Sequence, residues 1–90
     1  MPISPDIVLE PPFVAIQQSG QIYGVALPYG ATNYSFGYIK QTNYQTVSYQ
    51  EGNRVLFNTD KVYPQIEVNG ETYNLVEESK IYLIENYNPI

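Results

Sequence analysis

The chain has 90 residues, with 4 Lys and Arg against 9 Asp and Glu, and it contains neither Cys nor His. A net charge of −5 without a basic cluster argues against nucleic-acid binding and against attraction to an anionic membrane surface. The missing Cys and His exclude disulfides and the common nucleophile–base pairs of enzymes, and they argue against a zinc site. We therefore expect no cofactor, no metal and no enzymatic activity.

The small size of the chain predicts self-association. A domain this short buries only about 60–65% of the surface that its unfolded chain exposes, and without disulfides or a metal the remaining source of stability is contact between copies. The 10 Tyr residues suit such interfaces, although they equally suit strands with one wet face. No apolar run approaches 18 residues, and residues 1–6 lack a signal-peptide pattern, so we expect a cytoplasmic protein.

Four prolines mark residues 1–12 as an N-terminal extension that cannot be helical. Within it, residues 7–9 are predicted to form a short edge strand or a tail that docks on a neighbour. The first clear strand follows at Phe13–Gln18, and Ser19-Gly20 ends it.

The pattern breaks between Gln21 and Ser35, where two glycines and a proline surround the apolar tripeptide Val25-Ala26-Leu27. This stretch predicts a loop, or a loop with one weak strand, and long loops in small domains are usually functional or disordered. The tripeptide is either a recognition element or part of an ordinary core strand, and its residues alone leave both interpretations open.

The second half of the chain reads as short strands separated by turns, which is typical of a small barrel or sandwich. Asn69-Gly70 between two alternating runs is the signal of a type I′ hairpin, with Ile66, Val68, Tyr73 and Leu75 on one face. The sequence therefore predicts one all-β domain over residues 1–90, with strands at residues 36–40, 44–49, 54–58, 65–68, 71–75 and 81–85.

Several segments resemble, in order, those of the GroES-type co-chaperonins. The likeness covers most of residues 13–85 and rests on Phe13–Ile16, Gly24–Pro28, Phe36–Ile39, Glu51–Phe57, the Ile66–Leu75 hairpin and Val76–Glu85. No single one of these motifs is highly specific to the family.

The resemblance implies a small GroES-like β-barrel that assembles into a seven-membered ring and closes a GroEL-type chaperonin ring. Residues 20–34 would be the mobile loop, and Val25, Ala26 and Leu27 would fit a groove of the chaperonin. In that family the first strand pairs with a neighbour's last strand. The corresponding interface residues here would be Ile7, Leu9, Phe13, Ile81 and Leu83.

The chain departs from the family pattern in ways that suit a divergent, virus-encoded relative. The segment between Tyr38 and Tyr49 is too short for the family's roof hairpin, and Tyr23-Gly24 replaces a Gly-Gly pair. These departures, with the high Tyr, Asn and Gln content, leave a second hypothesis open. A similar barrel could serve as a structural or assembly protein of a virion, such as a capsid or tail accessory protein.

Overall fold

The computed structural model describes Ile3 and residues 6–27 and 30–85, and for residues 20–27, 30–32, 83 and 85 it describes the backbone alone. The fold is all-β, as the sequence predicts, and its strands form one antiparallel sheet in the order β4-β5-β1-β2-β3-β6. The strands are β1 (Phe13–Leu27), β2 (Gly30–Gln41), β3 (Arg54–Asn58), β4 (Gln65–Val68), β5 (Glu71–Glu77) and β6 (Ile81–Glu85). A single 3₁₀ turn, Glu78–Lys80, lies between β5 and β6.

The two strongest predictions from the sequence, the buried strand at residues 54–58 and the hairpin at Asn69-Gly70, agree with the structure. β3 has the predicted bounds, and its burial alternates because Val55 and Phe57 face inward while their neighbours face outward. The β4–β5 hairpin turns at Asn69 and Gly70, whose φ angles of 53° and 82° are the positive values that a type I′ turn requires.

One cluster of buried side chains forms the core, and it draws on strands from nearly the whole width of the sheet. Its members are Val14, Ile16, Ile39, Val55, Phe57, Val76 and Ile81. Since β5 and β6 lie far apart in the strand order yet share this cluster, the sheet curls around it. No pairing joins β4 to β6 within the residues the structure covers, so a closed barrel is not formed by these strands.

The sequence predicts a strand at residues 44–49, and this prediction is wrong. The Asn43 side-chain oxygen accepts a hydrogen bond from the Gln45 backbone N–H at 2.8 Å, and the Thr46 hydroxyl accepts one from the Asn43 N–H at 3.2 Å. These local bonds hold a turn, because short polar side chains compete with neighbouring strands for backbone groups. Alternation of polar and apolar residues alone did not reveal that competition.

The loop predicted between residues 21 and 35 is also corrected. β1 continues to Leu27 and β2 begins at Gly30, with Ile22 paired to Ser35 and Leu27 paired to Gly30. The glycines of this stretch therefore lie within paired strands, and only residues 28–29, outside the described residues, separate the two strands. The mobility expected of residues 20–34 stays a prediction.

The N-terminal segment docks on its own sheet through Gln41, a buried polar residue near the end of β2. The Gln41 side-chain amide donates to the Ile7 carbonyl at 2.7 Å, and its oxygen accepts from the Ile3 N–H at 3.1 Å. Leu9 is buried at 7% exposure, so this segment supplies part of the apolar packing of its own chain.

Candidate functional site

The distal half of the β1–β2 hairpin forms a two-stranded arm. β5 pairs with β1 only from Phe13 to Ile16, and β3 pairs with β2 only from Tyr34 to Tyr38. Beyond those points the two strands pair only with each other, over residues 24–27 and 30–33. An isolated two-stranded ribbon is marginally stable in water, so an arm of this kind gains stability from a partner surface.

The apolar tripeptide singled out in the sequence lies at the tip of this arm. Val25 pairs with Thr32, Ala26 with Ala31, and Leu27 with Gly30, which is the last pair of the ribbon. The three predicted chaperonin-binding residues thus lie at the end of the ribbon. On β1 they are the described residues farthest from the segment that pairs with β5.

The base of the arm combines a bulge with a fixed anchor. The register of β1 against β2 shifts between Gln18 and Ile22, and such bulges bend a strand and change its twist. On β2, the Asp60 carboxylate accepts from both the backbone and side-chain amides of Asn33, at 2.9 and 3.1 Å. The Thr59 N–H donates to the Asn33 carbonyl at 2.9 Å, so the loop after β3 fixes the direction in which the arm leaves the sheet.

The outer face of β2, β3 and β6 carries aromatic side chains beside two cations. Tyr34 and Tyr82 pack edge to face with centroids 5.5 Å apart. The Arg54 guanidinium lies 3.9 Å from the centroid of the Phe36 ring, and the Lys40 amino group lies 5.9 Å from that of Tyr38. Tyr38 and Tyr82 are 36% and 53% exposed. This outer aromatic face presents rigid, amphipathic side chains of the kind enriched at protein interfaces.

The predicted subunit-interface residues lie mainly within their own fold. Leu9 and Ile81 are buried at 7% and 9% exposure, so their side chains are already used in the packing of their own chain. Ile7 and Phe13 are half-buried, and Leu83 lies in β6 opposite Leu56. The interface stays a prediction, and the second edge of β6, which has no partner strand among those described, leaves backbone groups for such pairing.

A polar cluster that sequence analysis missed ties three segments together around Glu78. Its carboxylate accepts from the Thr46 hydroxyl at 2.6 Å and from the Asn43 side-chain amide at 3.1 Å. The same amide donates to the Phe13 carbonyl at 2.9 Å, and the Glu78 N–H donates to the Pro12 carbonyl at 3.0 Å. No spacing in the sequence points to this cluster, since its three segments lie at least 30 residues apart.

Two tyrosines packed against the core have perturbed acidity. Burial raises the pKa of the Tyr49 phenol above its ordinary 10.0, and the nearby Glu78 carboxylate raises it further. Burial also raises the pKa of Tyr63, with a smaller contribution from Tyr82. Both phenols keep their protons longer in the folded chain than in the unfolded one.

We expect the free energy of unfolding to fall as the pH rises above about 10. In that range the unfolded chain ionises these two phenols first and thereby gains stability relative to the folded chain. Urea unfolding between about pH 8 and about pH 11 measures the effect, and replacing both Tyr49 and Tyr63 by Phe should flatten the decline. Tyr44→Phe, at a phenol 69% exposed, is the matched control and should leave the decline intact. An equal flattening by the control would refute this origin.

The part of the chain that the structure describes contains neither a cluster of metal-binding side chains nor a helix that could cross a membrane. No group of three or more His, Cys, Asp or Glu side chains comes together there to hold an ion. No helix in those ranges has the length and apolar content needed to cross a bilayer.

Comparison of this chain with known proteins finds no matching family model, no matching curated protein and no matching solved structure.

Proposed function

We propose that the protein is a non-enzymatic, co-chaperonin-like subunit that binds a chaperonin ring through the tip of its arm and assists protein folding. The observation that carries the proposal is the position of Val25-Ala26-Leu27, at the end of a ribbon that no other described strand supports. The likeness of residues 13–85 to the GroES-type family supplies the partner and adds the expectation of a ring.

The arm suits a binding mode in which each contact is weak. A marginally stable ribbon must be ordered as it binds, and the free energy of ordering is subtracted from the contact energy. Several linked arms recover affinity, because the first arm to bind raises the effective concentration of the others. A homo-oligomeric ring of subunits is therefore part of the proposal.

The tip residue Leu27 provides the direct test. Leu27→Asp should abolish capture by a chaperonin ring in the presence of nucleotide, because a carboxylate cannot enter an apolar groove without a large desolvation cost. The measurement is a pull-down with the purified chaperonin, accompanied by hydrogen exchange of the core strands to show that the variant is folded. In the wild type, the amides of residues 20–34 should become protected when the chaperonin is added.

Thr32→Asp is the matched control, since it adds the same charge to the arm on the strand opposite Val25. It should retain most of the capture. The proposal fails if the wild type is not captured, or if Leu27→Asp is captured as well as the wild type.

The outer aromatic face favours a second function, that of a structural or assembly protein of a virion. Exposed Tyr38 and Tyr82 beside Arg54 would pack against neighbouring subunits of a particle. In that case the arm is ordered within the assembly and no chaperonin is bound. Native mass spectrometry adds a check on both functions, because a strict monomer at working concentration contradicts a ring and a particle alike.

A further inference from the structure

A polar cleft opens where the apolar interior of the curled sheet ends. Its volume is about 430 Å³, and its polar lining consists of Gln18, Thr59, Lys61, Tyr63, Gln65 and Asn74. Along β1 the inward positions run Val14, Ile16 and then Gln18, and along β5 Asn74 pairs with Ile16. The inward-facing side chains thus change from aliphatic residues to carboxamides at this mouth cleft, where the curled sheet opens to solvent.

The carboxamides of the cleft offer both donors and acceptors. Gln65 donates to the Asn74 side-chain oxygen at 3.0 Å, and this bond uses one hydrogen of Gln65 and one lone pair of Asn74. The Gln65 oxygen and the Asn74 amino group keep their capacity for a ligand, and Gln18 adds another amide from β1. The cleft can therefore bind a group that donates and accepts at once.

The charges around the cleft narrow the class of ligand. Although the chain has 9 Asp and Glu residues, none of those whose side chains the structure describes lines this cleft, and Lys61 is the one charged residue among its described lining. A cationic ligand would find no counter-ion there. An anion would use only the donor half of the carboxamides, whereas a hydroxyl group uses both halves.

One wall of the cleft supplies apolar surface for the other side of such a ligand. It consists of Val62, which is 97% exposed, and of the Tyr63 ring, which packs edge to face on the buried Phe57 with centroids 6.0 Å apart. The Tyr63 hydroxyl is fixed by a 2.8 Å bond to the Asn58 carbonyl, so this wall is rigid. The volume lies within the range of about 300–1,000 Å³ that is usual for small-molecule sites.

We propose that this mouth cleft binds a neutral saccharide of one or two rings. The hydroxyl groups of the sugar would pair with Gln18, Gln65 and Asn74, and its C–H face would lie on the aromatic wall. The inference is independent of the arm and of any chaperonin.

Nuclear magnetic resonance titration of the full chain with glucose, N-acetylglucosamine, maltose and lactose tests the proposal, with acetate as the anionic probe. At least one sugar should shift the side-chain amide signals of Gln18, Gln65 and Asn74 at millimolar concentration. Gln18→Ala and Asn74→Ala should each weaken binding about fivefold or more, since each removes a hydrogen-bonding pair.

Gln50→Ala is the matched control, because it removes an exposed carboxamide that is not part of the cleft. It should leave binding unchanged, and two separate cleft variants protect the test against the misfolding of one. The proposal is overturned if no sugar shifts these amides, if acetate alone does so, or if the control weakens binding as much as the cleft variants.

Discussion

Replacement of Gly37 by Ala is expected to lower the free energy of unfolding by about 3 kcal/mol or more, although it adds only one methyl group. A Cβ atom at this position would lie 2.5 Å from Ile16 Cγ2, 2.9 Å from the Gln17 carbonyl oxygen and 3.0 Å from Phe57 Cε1. A side chain can rotate away, but the carbonyl oxygen belongs to the backbone that pairs β1 with β2. Chemical unfolding in urea measures the loss.

Gly70→Ala is the control for the Gly37 substitution. Nothing lies within 4 Å of the added Cβ atom, so only the positive φ of 82° opposes it. The expected loss is about 1–2 kcal/mol, the usual cost of placing an L side chain in that conformation. If Gly37→Ala is no more destabilising than Gly70→Ala, close packing between β1 and β2 is not what requires glycine at position 37.

Replacement of Phe57 by Ala should cost about 3–5 kcal/mol, because it removes the largest fully buried side chain among those the structure describes and leaves a cavity. For a domain whose total stability is about 5–15 kcal/mol, this loss is a large share. Tyr63 would also lose the ring against which it packs. Thermal and urea unfolding, read by circular dichroism, give the measurement.

Phe57→Leu separates the cavity from the simple loss of an aromatic ring. Leu keeps most of the apolar volume, so the stability should fall clearly less than with Ala. Equal losses for the two variants would contradict the cavity explanation and would indicate that the edge-to-face contact with Tyr63 dominates.

The sequence predicted correctly those parts of the fold in which a run of apolar or alternating residues is bounded by residues that favour turns. The continuous apolar run at β3 and the Asn69-Gly70 hairpin are local signals, and the structure confirms both. The all-β class follows from the same signals. Over residues 21–35 the sequence predicted a loop, because glycine and proline usually indicate one. In the structure the two glycines of this stretch lie within paired strands.

Contacts between distant segments could not be predicted from the sequence. The tripeptide Val25–Leu27 was selected from its composition and resemblance, but its place at the tip of a ribbon depends on the register of β1 against β2. The cluster around Glu78 and the polar cleft each join residues that are far apart in the chain. Only the curl of the sheet brings these side chains together, and no local pattern encodes that curl.

The attachment of the N-terminal segment through Gln41 requires a particular side chain at position 41 but not at positions 3 and 7. Gln41 bonds to the backbone N–H of Ile3 and to the backbone carbonyl of Ile7. Every residue type has the carbonyl, and every type except proline has the N–H. Substitutions at positions 3 and 7 should therefore be tolerated for anchoring, whereas a change at position 41 removes both bonds at once. Much of the N-terminal segment could therefore be redesigned to carry labels or new contacts, provided that Gln41 is kept.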